Sequence, residues 1–142
     1  MMNADFDALQ GFWKLERSTR DDVPEPNEAY GEKGTLFEFK GSRFLHIRSR
    51  SSLRFELQSD ATPKGMDFIQ VSLRSRSPCI YELEGNVLRI MHSSAKNKRP
   101  SSFSESGCLL RVYSRLKKRL NIKRRSRAQV PATLNPKSLG MA

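Results

Sequence analysis

Two cysteines, one tryptophan and two histidines are all that this chain of 142 residues contains of those types, and its acidic residues stop at Glu105. Each scarcity excludes something. Cys79 and Cys108 are too few for a disulfide framework and form no C-x-x-C pair, so both are expected as small buried side chains. His46 and His92 each stand alone on a strand-like run, with no Asp, Glu or Cys at metal spacing beside them; hydrogen-bonded or exposed histidine is expected, and no metal site. The absence of any run of about 20 apolar residues excludes a spanning helix. The opening MMNADFDALQ is acidic and carries no apolar stretch of signal-peptide length, so a cytoplasmic location is expected.

Catalytic patterns are missing as well. The serines lie in loops or in RSRSS and SRS runs, away from any nucleophile elbow or Ser-His-Asp setting, and no glycine-rich phosphate loop occurs. Glu82 and Glu84 alternate with Tyr81 and Leu83, which points both carboxylates to solvent instead of across a cleft as a glycosidase pair requires. No enzyme, catalytic residue or cofactor is expected.

What the chain does have is unevenly distributed charge. Of 26 Lys+Arg, ten follow Glu105, where there are no acids, so the formal +11 divides into a body of +1 and a C-terminal arm of +10. Eight of those charges, Arg115, Lys117, Lys118, Arg119, Lys123, Arg124, Arg125 and Arg127, fall within 13 residues. Such density attracts a polyanion, nucleic acid or an anionic surface, through steering and counterion release. No aromatic follows Tyr113, so the arm offers charge without a stacking platform for bases. A short basic helix is expected in SRLKKRLNIKRRSR, and disorder in the two-proline segment after it. RSRSSLR at 48–54 and LRSRS at 73–77 add positive charge near strand ends; they read as solvated turns unless they share a rim with the arm.

From residue 11 to 115 the dominant pattern is period-two alternation. In LRFELQ, Leu53, Phe55 and Leu57 face one way while Arg54 and Glu56 face the other, the signature of a half-buried strand. Comparable runs at 12–19, 35–40, 43–49, 67–73, 79–84, 87–92 and 108–115 bring the expected strands to eight. Gly41-Ser42 and Gly85-Asn86 sit where two-residue hairpins need positive φ, and RDDVPEPNEAYGEKG, SDATPKG and SSAKNKRPSS read as loops. Eight hairpin-linked strands form an antiparallel up-and-down meander, which removes its exposed edges by closing into a barrel. The expected organisation is an all-β barrel domain at 8–115 and a basic, partly disordered tail at 116–142.

Gly11-x-Trp13 at the head of the first strand resembles the calycin and lipocalin arrangement, in which the Trp plugs one barrel end beneath a basic side chain of the last strand. That resemblance assigns the plug role to Gly11 and Trp13 and leaves the basic partner open between Arg115 and Arg111. LQGFWKLE, PKGMDF, IYELEGNVLRI and RPSSFSESGCLLRV together, over residues 9 to about 115, are similar to a family of small lipocalin-like domains numerous in planctomycetes and of unknown function. The chain departs from that pattern at Phe12, where a small or polar residue is usual, at Cys79, where a glycine is common, and in its basic arm.

An eight-stranded barrel is just wide enough to be filled by side chains or to hold one small ligand. Phe37, Phe39, Phe44, Phe55, Tyr81 and Leu88, with Phe68, Leu83, Ile90 and Val112, are candidates to line a pocket for a small hydrophobic ligand and equally serve as core. The sequence thus leads to a non-catalytic binding or interaction domain. Its alternative is a nucleic-acid-associated accessory protein acting through the arm.

Overall fold

The computed structural model describes residues 4–25, 33–93 and 98–116. A helix α1 (Ala4–Leu9) is followed by nine strands: β1 (Gly11–Arg20), β2 (Val23–Pro24), β3 (Leu36–Lys40), β4 (Arg43–His46), β5 (Ser52–Gln58), β6 (Gly65–Gln70), β7 (Ser75–Glu84), β8 (Val87–His92) and β9 (Leu109–Arg115). Every pairing is antiparallel, and β1 pairs with both β3 and β9. That second pairing closes β1 and β3–β9 into an eight-stranded up-and-down barrel with no open edge, the arrangement that strand count and hairpins imply. The two-residue β2 stands outside it, paired only with the far end of β1.

Local chemistry accounts for the turns. Gly41 (φ 59°) and Gly85 (φ 58°) open the two-residue hairpins β3–β4 and β7–β8 with positive φ at the first turn position, where a side chain would be strained. The β1–β2 hairpin was not evident from the polar, proline-bearing segment that holds it. It turns on Asp21 and Asp22, both left-handed at φ 53° and 66°, a conformation that short Asp side chains tolerate. A bulge between Leu15 and Arg17 shifts the β1–β9 register, letting the long β1 bend around the barrel.

Several expected boundaries move. Residues 71–73 leave the sheet as a 3-10 turn that ends at Arg74 in left-handed backbone (φ 53°), while β7 begins at Ser75, four residues before the alternation becomes visible. Residues 4–7, assigned to no element on sequence grounds, start α1. Their apolar residues are too few for a helical stripe, and the helix is held instead by tertiary contacts: Phe6 stacks on Phe55 at 5.7 Å and Leu9 is buried against the core.

The inner faces carry one continuous core, with Trp13, Phe39, Phe55, Met66, Tyr81 and Leu88 all buried. A second, smaller core lies outside the barrel wall. There the β8–β9 connection folds back so that Phe103 and Cys108 pack on Ile80, Met91 and Leu110. This strap is fastened by Arg99, which donates to Asp67 (2.7 Å) and to the Cys79 carbonyl (2.8 Å), while Arg76 donates to the other Asp67 oxygen at 2.7 Å. Asp67 and Arg99 belong to the PKGMDF and RPSSF stretches, so the structure gives both motifs a shared mechanical role.

Candidate functional site

The two barrel ends differ. At one end lie the β3–β4 and β7–β8 hairpins, α1 and the first residues of β1. Gly11 begins β1 at φ 119°, a value only glycine adopts readily, and so swings the chain from α1 into the sheet. Trp13 is fully buried there, its Nε1 donating to the Leu9 carbonyl at 2.8 Å. The Arg115 guanidinium lies 4.3 Å from the Trp13 ring centroid and donates to the carbonyls of Ala8 (2.6 Å) and Gln10 (3.4 Å). Of the two arginines left open by the sequence, Arg115 covers the Trp. Register decides this, because Trp13 and Arg115 are direct partners across β1 and β9.

Two further residues seal this end. Asp5 accepts from the Tyr81 hydroxyl (2.6 Å) and from Lys64 Nζ (3.0 Å). Burial opposes ionisation of Asp5, but these bonds outweigh it and hold the carboxyl below its ordinary range. Gln10 binds Gly41 at both backbone groups, accepting from its N–H at 2.7 Å and donating to its carbonyl at 3.0 Å.

Among the described residues, the other end is open. Between the 47–51, 71–74 and β8–β9 connections lies a half-open cavity of about 360 Å³. Phe37, Phe44, Leu53 and Phe68 form its apolar wall on β3–β6; Ser75, Ser77, His92 and Arg111 form a polar wall on β7–β9, with His46, Ser51, Ser52 and Gln70 also lining it. Of the ten aromatic and aliphatic residues expected to line a pocket, Phe37, Phe44 and Phe68 do. Phe39, Phe55, Tyr81 and Leu88 lie deeper, packed with α1 and Trp13 into a filled floor. The barrel is thus filled in its closed half and hollow in its open half.

The polar wall is ordered by one chain of hydrogen bonds. Arg111, 2% exposed, donates from Nε to His92 Nε2 at 3.1 Å; His92 Nδ1 lies 3.3 Å from Cys79 Sγ, which is 3.6 Å from the Ser77 carbonyl. An acceptor at Nε2 assigns the ring proton to Nδ1, which then donates to sulfur, while the thiol donates to Ser77. Burial first and the Arg111 charge second depress the His92 pKa well below its ordinary 6.5, so the ring is neutral at neutral pH. Burial pushes the Cys79 thiol up to about 12, which keeps it protonated and inert. The ring of His92 also stacks on Phe68, at 5.9 Å and 8°.

Sequence reasoning treated Arg111 as a possible Trp13 partner and His92 as a lone strand histidine, and so missed their joint position. A signal was available: Arg111 shares the inward phase of Tyr113 on β9, as His92 does of Ile90 and Leu88 on β8. Glu82 and Glu84 do face solvent together, both within salt-bridge distance of Arg89. Among the described residues no group of three metal-ligating side chains occurs, and no helix is long and apolar enough to cross a membrane.

Arg48, Arg50 and Arg74 lie in the connections at the open end, whereas Arg76 is on β7, bonded to Glu56 and Asp67. Leu116, which follows β9 and is bonded through its N–H to the Phe12 carbonyl at 2.9 Å, is the last described residue and lies at the closed end. Lys117, Lys118, Arg119, Lys123, Arg124, Arg125 and Arg127, with the helix expected there, lie outside the described residues. Compared with family models, curated proteins and solved structures, the chain matches none.

Proposed function

We propose that this chain is a non-catalytic, lipocalin-like binding domain that holds one small, largely apolar molecule in the open half of its barrel. The observation that carries this reading is the cavity itself: about 360 Å³, within the range of small-ligand sites, walled by aromatic side chains and a few ordered polar groups. Buried, hydrogen-bonded His92 and a Cys79 thiol held protonated supply no activated nucleophile, which favours binding over catalysis. Both free thiols suit a reducing compartment, and the cytoplasm is the proposed location. Membership of the lipocalin-like family indicated by the four sequence motifs belongs to the same proposal, supported by the Trp13–Arg115 stack and the closed meander.

Native mass spectrometry of gently purified full-length chain tests it. A discrete added mass of small-molecule size is the expected result, and a bare chain that also fails to take up any apolar probe would overturn it. A second reading rests on the seven positive charges between Lys117 and Arg127: association with nucleic acid through the arm. It requires affinity that falls steeply with salt and is lost on deleting residues 116–142; salt-independent binding would exclude it.

A further inference from the structure

Two connections lie side by side on the rim of the open end. Continuing the β5–β6 register from Arg54 and Ile69 by two places sets Ser52 beside Val71, so the 47–51 connection adjoins the 3-10 turn Val71–Leu73. Val71 and Leu73 are 60% and 69% exposed, two of the three large apolar side chains left in water among the described residues. Arg48, Arg50 and Arg74, all exposed, belong to the same two connections, in which no acidic residue occurs. Arg54 and Arg76 nearby pair with Glu56, whereas Arg48, Arg50 and Arg74 have no ion pair among the described residues. Each connection also holds an arginine in left-handed backbone, Arg50 at φ 63° and Arg74 at φ 53°, where the closed end uses Gly41 and Gly85. A Cβ disfavours that conformation, so the turns alone give no reason for arginine.

We propose that this side of the rim docks on an anionic lipid bilayer, with Val71 and Leu73 entering the headgroup region and Arg48, Arg50 and Arg74 meeting lipid phosphates. Exposed aliphatic side chains beside unpaired cations supply both halves of an interfacial contact, apolar burial and attraction to a negative surface. Nucleic acid would engage the arginines and leave Val71 and Leu73 in water. A stable protein interface takes about 800 Å² from each partner, more than two aliphatic residues on a projecting turn can centre. Asp21 and Asp22 lie across the mouth, because β1, which carries their turn, stands four staves from β6 either way round the barrel. The bilayer therefore meets the β4–β7 side. Ser51, Ser52, Gln70 and Ser75 line the cavity from in or beside the same connections, so docking sets the cavity mouth against the lipid. None of the five docking residues lines the cavity, and the surface stands whether or not the cavity holds a ligand.

Fluorescence of full-length Leu73→Trp on lipid vesicles tests this, read as the difference from the native chain, whose single Trp13 is buried at the closed end. On vesicles of phosphatidylcholine mixed with phosphatidylglycerol, the new indole is expected to shift to shorter wavelength and to be quenched by lipids brominated in the acyl chain. Vesicles of phosphatidylcholine alone should produce neither change. Adding Arg74→Gln should weaken partition to the mixed vesicles about fivefold, the equivalent of one surface charge. Vesicles that capture the chain while this indole stays in water would assign binding to the C-terminal arm and overturn the proposal. An equal shift on phosphatidylcholine alone, or partition unchanged by Arg74→Gln, would overturn the role of charge. A shift that arises without vesicles and grows with protein concentration would make the patch a contact between copies of the chain and overturn docking on lipid. A bare chain in native mass spectrometry would remove the ligand reading and leave each of these outcomes decisive for docking.

Discussion

At the scale of single residues, the two barrel ends are governed by different physics. Trp13 joins burial, a hydrogen bond to Leu9 and the Arg115 guanidinium in one place. Trp13→Ala is therefore expected to lower the unfolding free energy by about 3–5 kcal/mol in denaturant titration. A loss below about 1 kcal/mol, ordinary for a surface position, would remove the plug role. His92 is the buried histidine of the open end. Its folded pKa lies below the unfolded value, so the unfolded chain takes up a proton that the native chain refuses as pH falls below about 6.5. Stability from this group is complete above that pH and declines below it. Between pH 7 and 5.5 the native chain should lose about 1 kcal/mol, and His92→Gln should flatten that slope. The carboxyls held low, Asp5, Glu16 and Glu105, begin to matter only at lower pH, where their native charges are neutralised.

At the scale of elements, the strap formed by the β8–β9 connection covers the outer wall with Phe103, Pro100 and Cys108, and Arg99 fastens it. The two arginines on Asp67 are not equivalent. Arg76 is half exposed and screened by water, whereas Arg99 also ties the Cys79 carbonyl. Arg99→Met is expected to cost about 1–2 kcal/mol and to open Phe103 to chymotrypsin in limited digestion. Arg76→Met should cost less than about 1 kcal/mol and leave the strap resistant. Equal effects of the two changes would show that the strap is held by its apolar contacts alone. Helix α1 is a comparable case: at six residues it is too short to persist alone and depends on Phe6, Leu9 and the Asp5–Tyr81 bond.

At the scale of the whole molecule, closure through β1 and β9 makes every stave depend on its neighbours. Unfolding followed by Trp13 fluorescence at the closed end and by far-ultraviolet circular dichroism of the sheet should give coincident transitions. Separate midpoints would mean that the filled and hollow halves come apart independently. Much of this architecture was legible in the chain. Period-two runs such as Leu53-x-Phe55-x-Leu57 mark the inner face wherever a strand separates core from water, and Gly41 and Gly85 mark turns because so few residues accept positive φ. The charge division at Glu105 is likewise a property of the sequence alone. What the tertiary structure decided concerns spatial coincidence. Arg111 and Arg115 lie four residues apart with the same phase on one strand, and only register separates them: β1–β9 pairing sends Arg115 to Trp13, and β8–β9 pairing brings Arg111 beside His92. Phe37 and Phe55 are both inward phenylalanines, and only their depth relative to α1 makes one a cavity wall and the other part of the floor. Periodicity records which face a residue occupies, but height along the barrel axis is set by register and closure, which join residues distant in sequence.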